Sequence, residues 1–298
     1  MKRLNFKSFD GKTISYVEWE VENPKAIVLV AHGMCEHVMR YDYIATELNK
    51  AGYLVVGDDH RGHGQTDIDH LGYADGDMYN DTQKDMATLC KMYKEKYPNL
   101  KIILFSHSYG SFLSQRFIQE YNQYLSGVIL SGSAQMKGFL PAFGKFVAQI
   151  GCAFKGKDKP AKFINNLTFG TYKKQLKMDS FISTIESEAE RYNKDPLCGF
   201  ICSYNFYRSF FTGLTVVYKK KNLAKLNLDL PTYVVSGAKD PVGGFSKLTT
   251  KLYNMYKDLG VKDVELKLYE GVLHEFLNDV SREESTNDII NFCNKVVG

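Results

Sequence analysis

The chain has 298 residues, a formal charge of +4, 44% apolar and 24% charged side chains, and 40 aromatics (one Trp, 20 Tyr, 19 Phe). This composition excludes a disordered chain, a collagen-like chain and a small disulfide scaffold, and 38 basic against 34 acidic residues is too even a balance for electrostatic binding of nucleic acid. The six cysteines (Cys35, Cys90, Cys152, Cys198, Cys202, Cys293) are scattered, and the close pair Cys198 and Cys202 has no second pair to complete a zinc site, so they read as free thiols of a reducing compartment.

Residues 4–9 and 13–19 read as strands joined by Asp10-Gly11, a dipeptide that closes tight hairpins, so the chain opens antiparallel. The pattern changes after Pro24. Short apolar runs without alternation at 26–31, 54–57, 102–105, 128–130 and 233–235 suit strands buried on both faces. Helix-length stretches at 41–51, 79–97 and 111–124 lie between them, and alternation of this kind predicts a parallel sheet covered by helices. A further strand at 264–269 and a closing helix at 282–296 complete the series.

One stretch breaks the rhythm. Between Gly132 and Thr232 lie about a hundred residues, where a crossover needs only about a dozen. Phe139, Phe143, Phe146, Ile150 and Phe154 recur there at helical spacing, as do Phe200, Tyr204, Tyr207, Phe211, Leu214 and Tyr218. The expectation is a helical insertion over residues 136–219 in a core formed by 1–135 and 220–298. The insertion holds 16 of the 40 aromatics, 13 Lys or Arg and six Asp or Glu, so it carries +7 and leaves −3 for the rest.

The strongest local signal is Ser106-His107-Ser108-Tyr109-Gly110 between an apolar strand and a helix, the context of a nucleophile elbow. Small residues two before and two after the serine let strand and helix approach. Gly110 meets that condition, and Ser106 stands where Gly is more usual. The competing reading of Ser108 is a helix N-cap.

In a Ser, acid, His order, only His274 of the seven histidines follows Ser108, in a loop after the last strand. Asp240 has the acid's address, after the strand at 233–235; Asp229 precedes that strand, and Asp258 and Asp263 come after the next helix. A surface-loop histidine and a turn aspartate before Pro241 are the plain alternatives. At the end of the 26–31 strand, His32-Gly33 exposes the next backbone amide, so Met34 and Tyr109 would supply oxyanion N–H donors. Asp58-Asp59-His60-Arg61-Gly62-His63-Gly64 lacks the spacing of a metal motif, and no metal or cofactor is expected.

The chain resembles the α/β-hydrolase superfamily, in particular the monoacylglycerol lipase and lysophospholipase-like branch grouped with serine aminopeptidases. The resemblance rests on His32-Gly33 with Glu36-His37 and Arg40-Tyr41, on residues 59–64, on 106–110, on Ser236 to Gly243 and on Tyr269 to His274. It implies an α/β fold with an eight-stranded, mostly parallel sheet and a helical cap between strands six and seven. It also implies a catalytic Ser108, Asp240 and His274, with the Met34 and Tyr109 amides as oxyanion hole.

The expected reaction is hydrolysis of a carboxylic ester through an acyl-enzyme, on a single-chain lipid or another small-molecule ester. The same three residues could serve a short-chain carboxylesterase, a thioesterase or an aminopeptidase, and the fold alone could belong to a non-catalytic binder. Phe139, Phe143, Phe146, Tyr204, Tyr207 and Phe211 are the candidate substrate-binding residues of the cap. A basic, aromatic cap also predicts peripheral contact with an anionic membrane surface. The first residues lack the apolar run of a signal peptide, and no window reaches the roughly 18 apolar residues of a membrane span, so a cytoplasmic location is expected. Nothing in the sequence specifies an oligomeric state.

Overall fold

A computed structural model describes residues 1–298. Eight strands form one sheet in the order β1-β2-β4-β3-β5-β6-β7-β8. They are β1 (Lys2–Lys7), β2 (Thr13–Trp19), β3 (Ala26–Ala31), β4 (Tyr53–Asp58), β5 (Ile102–His107), β6 (Gly127–Ser131), β7 (Thr232–Gly237) and β8 (Val264–Tyr269). β1 and β2 pair antiparallel, as do β2 and β4, and all other neighbours are parallel. The opening hairpin differs from the expected tight turn. Lys7 pairs with Thr13, and the Ser8 and Lys12 backbones close a five-residue loop, with Gly11 at φ +82°. β1 therefore ends two residues early, leaving Phe9 exposed beneath the Arg61 and Lys84 cations.

The unalternating runs are buried on both faces because each strand feeds two cores. From β3, Ile27, Leu29 and Ala31 join one cluster, while Ala26, Val28 and Val30 join the other. The helices of the core are α1 (Asp42–Lys50), α2 (Met78–Lys96) and α3 (Tyr109–Glu120), and, beyond the insertion, one at Lys247–Asp258 and a closing one at Arg282–Val297. α2 and α3 cover the first cluster, and α1 and the closing helix cover the second.

Between β6 and β7 lie α4 (Phe139–Phe154), α5 (Lys162–Asn165), α6 (Thr171–Leu176), α7 (Glu186–Lys194), α8 (Tyr204–Val217) and α9 (Lys220–Leu223). α4 and α8 pack closely through small residues. A Cβ on Gly151 would lie 2.0 Å from the Tyr204 ring, and one on Gly144 2.7 Å from Phe211. The expected face of α4 is thus inverted. Its inner side is Gly144, Ala148 and Gly151, and its aromatic stripe points to solvent, with Phe139 75%, Phe146 58% and Phe154 86% exposed.

Candidate active site

β5 runs into α3 through Ser108, which adopts φ 50° and ψ −118°. A side-chain-bearing residue rarely holds such a backbone, and it persists only where surrounding structure imposes it. Here the Ser108 amide donates to the Ser131 carbonyl (2.9 Å), and its own carbonyl accepts from the Phe112 amide (3.0 Å) and the Ser111 hydroxyl (2.6 Å). Ser106 occupies its small-residue position without strain, because its buried hydroxyl donates to the Ile129 carbonyl on β6 (2.8 Å). Ser108 caps α3 by position only; no hydrogen bond from its side chain caps the helix.

The loop after β3 approaches from the other side. A Cβ on Gly33 would sit 3.3 Å from the Ser108 Cβ. Two neutral histidines brace this loop. The His60 amide donates to His32 Nε2 (2.9 Å), so the proton is on Nδ1 and faces the Gly33 carbonyl (2.8 Å). Likewise the Cys35 amide donates to His63 Nε2 (3.2 Å), and Nδ1 faces the Arg61 carbonyl (3.0 Å). Burial pushes both rings toward the neutral form, His63 down to about 3. The lone pairs needed for metal ligation are therefore already engaged.

Glu36 completes the loop. Its buried carboxylate accepts from the Gly33 amide and the Tyr41 hydroxyl (2.7 Å) and pairs with Arg40 (3.2 Å), which also reaches Glu275 (2.5 Å). Burial raises the Glu36 carboxyl above the usual range, against the pull of Arg40. The Met34 and Tyr109 amides have no hydrogen-bond partner within the protein, which leaves both free to donate to a ligand.

Asp240, fully buried after β7, accepts from Ser236 Oγ (3.0 Å), the Val242 amide (2.8 Å) and His274 Nδ1 (2.8 Å). His274 follows β8. Burial pushes its imidazole pKa down, but the Asp240 carboxylate, with Glu275 and Glu36 behind it, outweighs burial and raises the value above the ordinary one. Its ring lies tilted against His107, 4.7 Å between centroids; burial keeps His107 neutral, and its Nδ1 meets Ser131 Oγ (2.9 Å).

Ser108 and His274 line one cleft of about 810 Å³ including its mouth, together with Met34, Glu36, His107, Phe181, Tyr192 and Phe200. They share the cleft without a direct hydrogen bond, a spacing common before substrate arrives. The backbone of the insertion reaches the histidine itself, since the His274 amide donates to the Phe181 carbonyl (3.2 Å) and the Glu275 amide to Ile182 (2.8 Å).

The candidate cap residues are not in this cleft. Phe139, Phe143 and Phe146 face solvent, Tyr204 and Tyr207 are buried in packing against α4 and the core, and Phe211 lies under Gly144. Helical periodicity gives a stripe but not the side on which it docks. The insertion residues that do line the cleft, among them Asn165, Phe169, Lys173, Asp179 and Phe181, come largely from short or irregular segments. Glu36 and Arg40 were visible only as part of a motif, without a role.

A family model described as serine aminopeptidase, S33 matches residues 22–281. Mouse monoglyceride lipase is 27% identical over 293 residues, covering 97% of this chain and 88% of that protein. A monoacylglycerol lipase of Mycolicibacterium smegmatis is 27% identical over 291 residues, covering 96% and 94%. Among solved structures, a thermostable carboxyl esterase from Bacillus coagulans in complex with glycerol superposes with a TM-score of 0.90 at 27% identity, covering 100% of this chain and 99% of the other.

Proposed function

The chain belongs to the serine aminopeptidase S33 family of α/β-hydrolases, and from that premise we propose that it is a serine ester hydrolase of the monoacylglycerol lipase and lysophospholipase-like kind, with Ser108 as nucleophile, His274 as base and Asp240 as the orienting acid. The observation that carries the assignment is the His274–Asp240 pair opening onto the same cleft as a strained Ser108 flanked by two unpartnered amides. His274 Nε2 takes the Ser108 proton as Oγ attacks the ester carbonyl. Asp240 holds the other ring nitrogen and stabilises the imidazolium. The Met34 and Tyr109 amides bind the oxyanion, the alcohol leaves with the proton from His274, and water repeats the cycle on the acyl-enzyme.

Full-length relatives named as monoacylglycerol lipases support a single-chain lipid ester as substrate. One observation favours a second reading, a short-chain carboxylesterase: only seven of the 19 residues lining the cleft are hydrophobic, and Lys173, Asp179, Glu36 and Glu275 are among the rest. A series of monoacylglycerols and p-nitrophenyl esters from C2 to C18 separates the two. Rising kcat/KM toward long chains supports the lipase reading, and a maximum at C2 to C4 supports the other. Equal fluorophosphonate labelling of wild type and Ser108→Ala refutes both.

No helix is long and apolar enough to cross a membrane. For residues 136–219, the proposed cap, we further propose peripheral contact with anionic lipid. The support is the solvent-facing apolar stripe of α4, which the nearby Lys137, Lys145 and Lys155 flank, within a segment of charge +7.

A further inference from the structure

Outside the cleft, one group of side chains combines nitrogen, oxygen and sulfur donors at the seam between the insertion and the core. His37 Nε2 lies 2.9 Å from Asp195 Oδ2. One ligand atom from each of His37, Asp195 and Cys198 falls within 4.8 Å of the other two. The His37 ring is 90% buried, and its Nδ1 has no hydrogen-bond partner. Because Nδ1 makes no hydrogen bond, the ring proton can sit there at no loss of a partner, which frees the Nε2 lone pair, the one facing Asp195, to bind a cation in place of the Nε2–Asp195 hydrogen bond. No such orphan exists on His32 or His63, whose nitrogens are all engaged by backbone.

We propose that His37, Asp195 and Cys198 bind a thiophilic divalent cation, zinc by preference, with water as the fourth ligand. Imidazole, carboxylate and thiolate are the ordinary donors of four-coordinate zinc, and a thiolate disfavours magnesium and calcium. Binding removes one proton: the Cys198 thiol releases it to solvent as the metal–sulfur bond forms. The carboxylate and thiolate then balance the dication, with His37 neutral.

The position gives the site a consequence. His37 follows Met34 by three residues, whereas Asp195 and Cys198 belong to the insertion. The two segments already touch where the Gly199 amide and the Tyr192 hydroxyl both donate to the Cys35 carbonyl (2.9 and 2.8 Å). A metal ion would add a stronger, removable fastening between the insertion and the loop that carries the Met34 amide.

The test uses the full chain, stripped with a chelator and titrated with Co²⁺, which reports tetrahedral coordination by its visible bands and sulfur ligation by a near-ultraviolet charge-transfer band. The expected result is one equivalent bound, competed by Zn²⁺ and not by Mg²⁺. Cys198→Ser should abolish the charge-transfer band, and His37→Gln and Asp195→Asn should each weaken binding about tenfold or more, the usual loss with a ligand or its partner. Circular dichroism identifies any variant that fails to fold, and the other two then decide. Absence of the band overturns the proposal. So does a band that survives Cys198→Ser but disappears in Cys202→Ser, which would move the metal to the Cys35 and Cys202 thiols, 3.5 Å apart. None of these readouts depends on ester hydrolysis.

Discussion

Gly110, two residues after Ser108, lies against the end of β3, so that a Cβ placed on it would fall 2.2 Å from the Ala31 carbonyl oxygen. No side-chain motion relieves a clash with backbone. Gly110→Ala must push α3 away from the sheet, and the Ser108 conformation depends on that approach. The expected cost is about 1–3 kcal/mol of stability from overpacking, with a larger effect on turnover because the proposed nucleophile is displaced. Thermal unfolding and kcat/KM measured together check this. A variant with normal activity would show that the elbow geometry is dispensable.

Ser106 makes the opposite prediction. Its hydroxyl already satisfies the Ile129 carbonyl at a position with no exposure. Ser106→Gly should therefore retain activity within about threefold and lose about 1 kcal/mol, the worth of one buried hydrogen bond. Ser106→Val, which loses the same hydrogen bond and also forces a larger, branched side chain into the buried elbow, should be far more damaging. Equal losses in the two variants would mean that the small-residue requirement does not hold here.

Much of this arrangement was legible in the sequence because the residues concerned sit at strand ends. Unalternating runs announce strands buried on both faces, and loops after such strands converge on one sheet edge, so chain order alone brings Ser108, Asp240 and His274 to a common address. The insertion was legible as helical but not as oriented. A stripe of Phe139, Phe143 and Phe146 reads as core-facing until one sees that Gly144, Ala148 and Gly151 supply the close approach on the other side. The contacts of Phe181 and Ile182 with the His274 loop run through backbone in an irregular segment, which carries no periodicity to read. The five-residue opening loop is not legible, because Asp10-Gly11 gives a turn's presence without its length.

The His274–Asp240 pair sets the pH dependence. His274, the proposed base, would work only when neutral, and its pKa in the folded protein is raised above the ordinary imidazole value. Activity should be full above that pKa and fall as pH drops through it. Asp240→Asn removes the main cause of the increase, so the acid limb of the kcat/KM profile should move to lower pH while kcat falls, by the precedent of serine proteases, on the order of 10⁴-fold. Glu275→Gln should shift the limb the same way by less, with a small loss in kcat. An acid limb unmoved by Asp240→Asn would remove His274 from the base role.

Glu36 tests the loop that carries the Met34 amide. Its carboxylate holds the Gly33 amide directly, and Arg40 retains Glu275 as a partner when Glu36 is lost. Glu36→Ala should loosen the loop and lower kcat on the order of tenfold, less than the roughly 10²–10³ expected for outright loss of an oxyanion donor. Glu36→Gln keeps an acceptor for Gly33 and should fall between Glu36→Ala and wild type. The effect should appear in kcat more than in KM, because the oxyanion forms only in the transition state. A pure KM effect would instead make Glu36 a ground-state binding residue.

The outward stripe of α4 yields a prediction that separates surface contact from catalysis. Phe139, Phe143 and Phe146 are 75%, 39% and 58% exposed, so replacing all three with Ser removes little core packing and should leave the melting temperature and hydrolysis of a soluble short-chain ester close to wild type. Inserting them into a lipid interface would bury apolar area worth about 1.5–3 kcal/mol for each fully buried ring. Even partial insertion of three rings amounts to at least about a hundredfold in vesicle partitioning. Flotation with anionic and zwitterionic vesicles should therefore show wild type bound to the former, more weakly at high salt, and the triple variant bound to neither. Gly151→Val supplies the contrast on the same helix. It drives a side chain into the Tyr204 ring and should destabilise the α4–α8 packing while leaving the stripe's chemistry intact. If the triple variant binds vesicles as wild type does, the stripe is not the membrane contact; if wild type binds neither kind of vesicle, there is no such contact.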